Sequence, residues 1–545
     1  MSNVRFILAL AACFLTITTG QAVQIRRTSG SRIPEHILPT DRDNPALWNG
    51  SLDKYTKAAA PGAYATSDVP RTGDHEYILI LVDFINLPFI INDTAALLKQ
   101  YDRIFNERGY NDPNTYKHKD IEFQGATGSV SDYFYDQSFG QYNPTFKIVG
   151  PVHPSKGFEY YGKDHEAKLN NLVREICDSV MLKGLVDLDG YTRNGSIDQL
   201  SFIYAGRGEN YEGADVNTIW PQASVIENYN KYGIKNIKYA CTCELFWDSD
   251  SILDGIGTFC HEFSHTLGLP DFYNTDNNSG TDSKSNAAMG YWSLMDYGTY
   301  ENQGFSPVGY TAFEKYSIGW MDLEEIQGTG HYYLQDISKV PDPDSGTGSA
   351  YVLSTGQPDN FIILENHVKT GWYKYHASEG LMVTAVSYDY NSWGRNRVNY
   401  YKSNKRYRIL PADNDYERTT NDGDLFPYND IDSITTNGTP ELSVGSSLPA
   451  YSIYTIRKEG GLVSFYAELD RTSGMGNSQS TDVTVSLIDG ELSITAPAGL
   501  KATVHDLSGN TVSETVITRT GQRIGLPGKG IWIVKCGDVV RKIAL

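Results

Sequence analysis

The clearest strand signal in the body of the chain is an unbroken apolar run, Tyr77-Ile78-Leu79-Ile80-Leu81-Val82, inside EYILILVDF at 76–84. A strand with one wet face alternates polar and apolar residues, so a continuous run predicts a strand covered on both sides. QLSFIYAG at 199–206 carries the same signal. Between the two, AALLKQYDRIFN and AKLNNLVREICDSVML place their apolar residues at helical spacing, which predicts two amphipathic helices. Strand, helix, helix and strand in this order describe an α/β unit. Beyond residue 330 the helical period fades, and FIILENH, GLMVTAVSYDY, YRILPA and LVSFYAEL predict a β-rich region.

The two ends differ from this middle. Arg5 precedes the apolar stretch FILALAACFLTITT, and small residues follow at Gly20 and Ala22. Charge, apolar run and small-residue site together make a secretory signal at 1–22, cut after Ala22. The run is short and has no basic stop behind it, which argues against a transmembrane anchor in the mature chain. LAAC ending at Cys13 offers lipoprotein anchoring as a second reading. Residues 23–75 are polar and turn-rich, a prosegment or linker. The remainder divides into an α/β domain at 76–330, the β-rich region at 331–470, a Gly/Ser linker at 471–482 and a module of short strands at 483–545.

Composition narrows the partners. The 545 residues carry 46 basic and 66 acidic side chains, a formal charge of −20. Nothing in that balance would offset phosphate repulsion, so nucleic acid is excluded as a partner. Removal of 1–22 leaves Cys177, Cys241, Cys243, Cys260 and Cys536, an odd and sparse set that makes no disulfide framework. Cys241 and Cys243 lack a second cysteine pair to complete a metal site.

The chemistry is concentrated in CHEFSHTLGLPDFY at 260–273. His261 and His265 are four apart, one above the other on a helix face, where two neutral imidazoles can bind one Zn²⁺. Glu262 is directed at a water rather than at the metal, and fits a general base that later returns the proton to a leaving amine. Ile256, Phe259, Phe263 and Leu267 anchor the other side of the helix in a core. Gly268 stands where the helix has to stop, Pro270 blocks its continuation, and Asp271 offers a third, anionic ligand. In YWSLMDYG at 291–298, Met295 provides an apolar floor in a tight turn. Tyr297 offers a phenol to the metal or to a developing oxyanion.

IGTFCHEFSHTLGLPD followed by WSLMDYG resembles the secreted metallopeptidases of the immune inhibitor A family, which are metzincin-like and carry HExxHxxGxxD and a Met-turn. GSVSDYFYDQSFGQY (128–142), VGPV (149–152), FEKYSIGWMD (313–322), FIILENH (361–367) and PADND (411–415) extend the resemblance over residues 76–465. It implies a zinc-dependent endopeptidase acting on proteins or peptides and made as a zymogen. Most metzincins carry a third histidine where this family, and this chain at Asp271, carry aspartate. The fold it implies is an α+β metzincin-like catalytic domain, a twisted sheet plus active-site helix, followed by a β-rich region and a small C-terminal β-sandwich.

Two further segments carry chemistry. VDLDGYTRNGSID at 186–198 offers Asp187, Asp189, Asn194 and Asp198 with two turning glycines, which reads as a structural Ca²⁺ loop or as an Asx-rich turn. Tyr191 occupies a ligand place and no terminal glutamate follows, so it departs from the EF-hand pattern. HDLSGN, LPGKGIWIVK and VVRKIAL in the last 45 residues resemble the C-terminal sorting domain of the type IX secretion system. That resemblance implies the secretion machinery as a partner and a secreted or outer-surface location. The rival readings are a surface adhesin on a protease-like fold and a zinc amidase acting on non-protein substrates. N-terminal sequencing of the exported protein is expected to start at Val23 or later; a start at Met1, or a lipidated Cys13, counts against the signal as read.

Overall fold

The computed structural model describes residues 69–544 apart from 163–167, 212–213, 216, 276–287, 341–344, 358, 417–419, 471–483, 489–490, 497, 507–509, 519–521, 527, 529–530 and 537–538. The signal, most of the prosegment and the linker expected from the sequence lie outside the described residues. The chain forms two compact units, Met1–Asp470 and Arg471–Leu545. No helix among the described residues is long and apolar enough to cross a membrane.

The continuous apolar runs become the centre of a sheet. Its main strands are β1 (Gly73–Val82), β2 (Tyr142–Val152), β3 (Ser196–Arg207), β4 (Gln222–Ile226) and β5 (Asn236–Leu245), in spatial order β2-β1-β3-β5-β4, and the short strand Thr192–Arg193 pairs with the start of β3. The first four in this order run parallel, and β4 closes one edge antiparallel to β5. Side chains on a strand alternate between faces, so β1 feeds two cores. Ile78, Ile80 and Val82 pack with Leu172, Val173, Ile176 and Val180 of α3 (Leu169–Leu182). Tyr77, Leu79 and Leu81 face the other way, toward α1 (Thr94–Asn106), α2 (Val130–Gln137) and α4 (Gly257–Thr266). Asp93 caps α1 through the Ala96 N–H at 2.8 Å, and a Ser129–Asp132 capping box starts α2.

The β-rich region shares the core around α4. Its five-stranded sheet pairs Tyr407–Ile409, Gly380–Ser387, Asn360–His367, Ala350–Ser354 and Glu324–Glu325 in that order. One face, with Val352, Phe361, Ile363, Met382 and Val386, joins the core that surrounds α4. The opposite face, with Leu353, Ile362, Leu364, Leu381 and Val383, meets Val463, Phe465 and Ala467 of a three-stranded sheet. Every residue of α4 is buried, as a helix sandwiched between two layers must be. Phe259 meets Phe105 edge-on at 4.7 Å, and Phe263 meets Tyr77 edge-on at 5.2 Å.

The second unit holds two antiparallel sheets, Thr484–Ile488, Glu491–Thr495 and Gln522–Ile524 in one, and Thr511–Val516, Lys501–His505, Ile531–Cys536 and Val539–Ala544 in the other. Leu492, Ile494, Ala502, Val504 and Val534 are buried together in its core. The first unit is a mixed α/β architecture with several sheets, and the described elements of the second are strands.

Close backbone approach sets the entry to α4. A Cβ on Gly257 would lie 2.0 Å from the Thr299 carbonyl oxygen, and one on Gly255 would lie 2.3 Å from the Gly304 carbonyl. Backbone cannot yield like a flexible side chain, so Gly257→Ala is expected to cost about 1–3 kcal/mol by overpacking. A lowered thermal midpoint relative to Gly330→Ala, whose added Cβ meets nothing within 4 Å, is the measurement.

Candidate metal centre

The helical spacing seen in the sequence brings His261 and His265 onto one side of α4, with ring centroids 5.0 Å apart. Buried imidazoles need partners for both nitrogens, and each finds a main-chain carbonyl for one of them. His261 Nδ1 is 2.9 Å from the Leu294 carbonyl oxygen, and His265 Nδ1 is 2.8 Å from that of Leu269. A carbonyl only accepts, so the proton belongs on Nδ1 and the lone pair on Nε2. Both Nε2 atoms turn to Asp271 Oδ1, at 3.0 Å from His261 and 3.5 Å from His265.

Gly268 makes this return possible. It adopts φ 101° immediately after α4, and the Leu269 N–H bonds back to the Ser264 carbonyl at 3.2 Å, an end that favours glycine. Asp271 then comes under the helix, fully buried. The three ligand atoms lie within 4.8 Å of one another, the only such grouping of His, Cys, Asp and Glu among the described residues. Ligands about 2.0–2.1 Å from a tetrahedral ion sit about 3.3 Å apart, close to the 3.0 and 3.5 Å between each Nε2 and Asp271 Oδ1. Two imidazole nitrogens and one carboxylate therefore fit a divalent first-row metal. Burial alone would raise the Asp271 carboxyl, but the imidazoles of His265 and His261 outweigh it and hold it well below the usual carboxylate range. Burial opposes protonation of His261, yet Asp271 and Glu262 prevail and lift it to about 9.

The turn around Met295 supports the site through its backbone. Leu294 supplies the carbonyl for His261, and the Met295 carbonyl accepts from the Phe272 N–H at 2.8 Å. Asp296 buckles this turn: its Oδ2 accepts from the N–H groups of Ala288, Met289 and Gly290 at 2.9–3.1 Å. Burial pushes its carboxyl up to about 6 against those donors. Met295 itself is completely enclosed in the core around α4.

Glu262 is buried beside the ligands, with Oε2 4.0 Å from His265 Nε2, and the Ala223 N–H of β4 donates to its carboxylate. Burial pushes its carboxyl up, against the pull of His261 and His265. Tyr297 packs its ring against Tyr291 at 6.1 Å and makes no side-chain hydrogen bond to the ligand residues. The phenol that meets them is Tyr273, stacked on His261 at 6.4 Å between centroids. Burial, followed by the charges of Asp271 and Glu262, holds its proton on.

Asn396 joins the site without any mark in the sequence. Its Oδ1 accepts from the Asp271 N–H at 2.7 Å, and its Nδ2 donates to Asp271 Oδ2 at 2.5 Å. It lies 125 residues away in the β-rich region, where no local spacing signals it.

The residues expected to bind calcium take up turn and ion-pair positions. Asp187 caps a short 3₁₀ turn by accepting from the Asp189 N–H, Asn194 sits in a left-handed turn at φ 49°, and Asp198 pairs with Arg193 at 3.2 Å. These residues serve a turn and an ion pair, and their carboxylates form no grouping like that of the histidine site. Cys241 and Cys243 are buried free thiols.

Residues 64–324 match the immune inhibitor A peptidase M6 catalytic domain, so the family resemblance holds over that span. Pre-pro-metalloprotease PrtV of Vibrio cholerae serotype O1, in strains M66-2 and ATCC 39315 / El Tor Inaba N16961, is 25% identical over 304 residues, covering 48% of this chain. The chain spans about a third of the length of these curated relatives, 32%. Among solved structures, native alpha-2-macroglobulin from Escherichia coli, spanning domains NIE-MG1, covers 31% of this chain and 90% of its own at 15% identity. Its TM-score of 0.11 carries no argument.

A metal can bind only when both imidazoles are neutral. With His261 at about 9, binding displaces a proton throughout the neutral range, so affinity is expected to rise with pH from 6 towards 9. Competition titrations of the stripped protein at several pH values measure this; an affinity independent of pH counts against it.

Proposed function

We propose that the protein is a secreted zinc endopeptidase that hydrolyses peptide bonds of extracellular proteins. The observation that carries the reading is the pair of Nε2 atoms converging on Asp271 Oδ1, each imidazole oriented by a carbonyl at its other nitrogen. His261, His265 and Asp271 would hold the zinc. When bound, zinc supplies a Lewis acid that polarises the scissile carbonyl and makes a water nucleophilic near neutral pH. The match to a peptidase catalytic domain supports peptides as the substrate class.

The remaining steps fall to the chain's own side chains. Glu262 accepts a proton at its carboxylate from the attacking water and delivers it to the leaving nitrogen. Its burial serves both halves, because a carboxyl raised above its ordinary value holds the proton it takes from water long enough to give it up again. Tyr273, whose phenol stays protonated, donates to the oxygen that becomes negative as the carbonyl turns tetrahedral. Met295 closes the core behind the site. Export follows from the N-terminal segment, and the unit at 471–545 directs the chain to type IX secretion. The prosegment at 23–75 accounts for synthesis as a zymogen, in keeping with the pre-pro form named in the Vibrio relative.

Glu262→Gln is expected to keep stoichiometric zinc and to lose about 10²–10⁴ in kcat on casein or a quenched peptide. Wild-type turnover by that variant would sink the mechanism. Tyr273→Phe is expected to lower kcat by roughly tenfold or more with KM little changed, and Tyr297→Phe to do less. The reverse ranking in steady-state kinetics would return the oxyanion role to Tyr297.

A further inference from the structure

The third ligand is gripped from outside the catalytic sheet. Asn396 is fully buried and sits at φ 54°, a left-handed conformation that asparagine tolerates better than most residues. Its amide meets Asp271 at two points, accepting from the main-chain N–H and donating to Oδ2. Its own carbonyl accepts from Thr275 Oγ1 at 2.9 Å, and its N–H bonds to the Trp393 carbonyl at 3.2 Å. Three residues on, Asn399 donates to the carbonyls of Phe272 and Tyr407 at 2.6 and 2.7 Å. Asn399 Oδ1 accepts in turn from the N–H groups of Arg406 and Tyr407. Two asparagines of one segment thus hold Asp271, Phe272 and Thr275 of the ligand loop.

Asp271 is the one ligand outside α4, so the helix does not determine its orientation. A carboxylate rotates about its χ angles, and either oxygen can face the histidines. Engagement of Oδ2 by Asn396 leaves Oδ1 alone directed at both Nε2 atoms. Partners of metal ligands commonly act in this way, and their loss costs about 10–100-fold in metal affinity.

We propose that Asn396 is the positioning residue of the metal centre, through which the segment 389–407 presents Asp271 to the metal as a one-oxygen ligand. The inference rests on the zinc reading. Asn396→Asp keeps the volume but replaces the donor with a second carboxylate facing Oδ2, and Asn396→Ala removes both contacts.

The test compares zinc affinity of stripped full-length variants by chelator competition, with the visible absorption of the cobalt form as a second readout. Circular dichroism and thermal melting report the fold. Both variants are expected to bind zinc at least tenfold more weakly than wild type and to shift the cobalt bands. In an Asp271→Ala background, Asn396→Ala is expected to add no further loss, because the residue acts through Asp271. If Asn396→Ala does not fold, Asn396→Asp carries the comparison. Folded variants with zinc affinity within threefold of wild type, or an equal loss in both backgrounds, overturn the inference and leave the zinc reading standing. A wild-type protein that binds no zinc overturns both.

Discussion

An imidazole buried in a protein must hydrogen-bond at both nitrogens or meet something that replaces a hydrogen bond. At His261 and His265 the Nδ1 side is taken by the carbonyls of Leu294 and Leu269, and that one constraint organises the centre. It fixes the tautomer, so two lone pairs converge on one point. It requires both the turn before Met295 and the loop after Gly268 to approach α4. The second of these approaches uses Gly268, where the chain turns left-handed, while Gly255 and Gly257 let the backbone at Gly304 and Thr299 close on the start of α4.

A helix carrying two histidines and a glutamate is a poor candidate for complete burial, yet α4 has no wet face. The cost is met by aromatic packing from one layer and by the second sheet from the other. Phe259 and Phe263 engage Phe105, Phe134 and Phe146 on the side of the parallel sheet. Phe272, next to Asp271, meets Tyr407 edge-on at 4.7 Å from the side of the β-rich region. The polar centre is thus framed by rings that leave its side chains few alternative rotamers.

Much of the site was legible because it is local. The His–Glu–His spacing, the stop at Gly268 and the carboxylate at Asp271 all fall within a few turns of chain, where periodicity and turn chemistry translate directly into geometry. The continuous apolar runs likewise became the doubly covered strands β1 and β3. What escaped has other causes. The carbonyls of Leu294 and Leu269 belong to the backbone, and any residue type could supply them. Asn396 is distant in sequence, and a buried asparagine looks like a loop asparagine until its partners are known. Tyr273 lies two residues after Asp271 and Tyr297 two residues after Met295, and the sequence does not say which ring turns to the histidines. The shared core was hidden because alternate residues of one strand serve different cores, and a sequence pattern does not say which.

The long reach between Asp271 and Asn396 also has a bearing on timing. A chain made at about 5–20 residues per second needs roughly 6–25 s to cross the 125 residues between them. Throughout that interval α4 and its histidines are already synthesised, while the segment that holds the third ligand is not. The closure joins distant parts of the chain, a contact of the kind that forms late in folding. The fold therefore carries an intrinsic delay: a nascent or truncated chain ending before residue 396 has the histidine motif but not the clamp on its carboxylate.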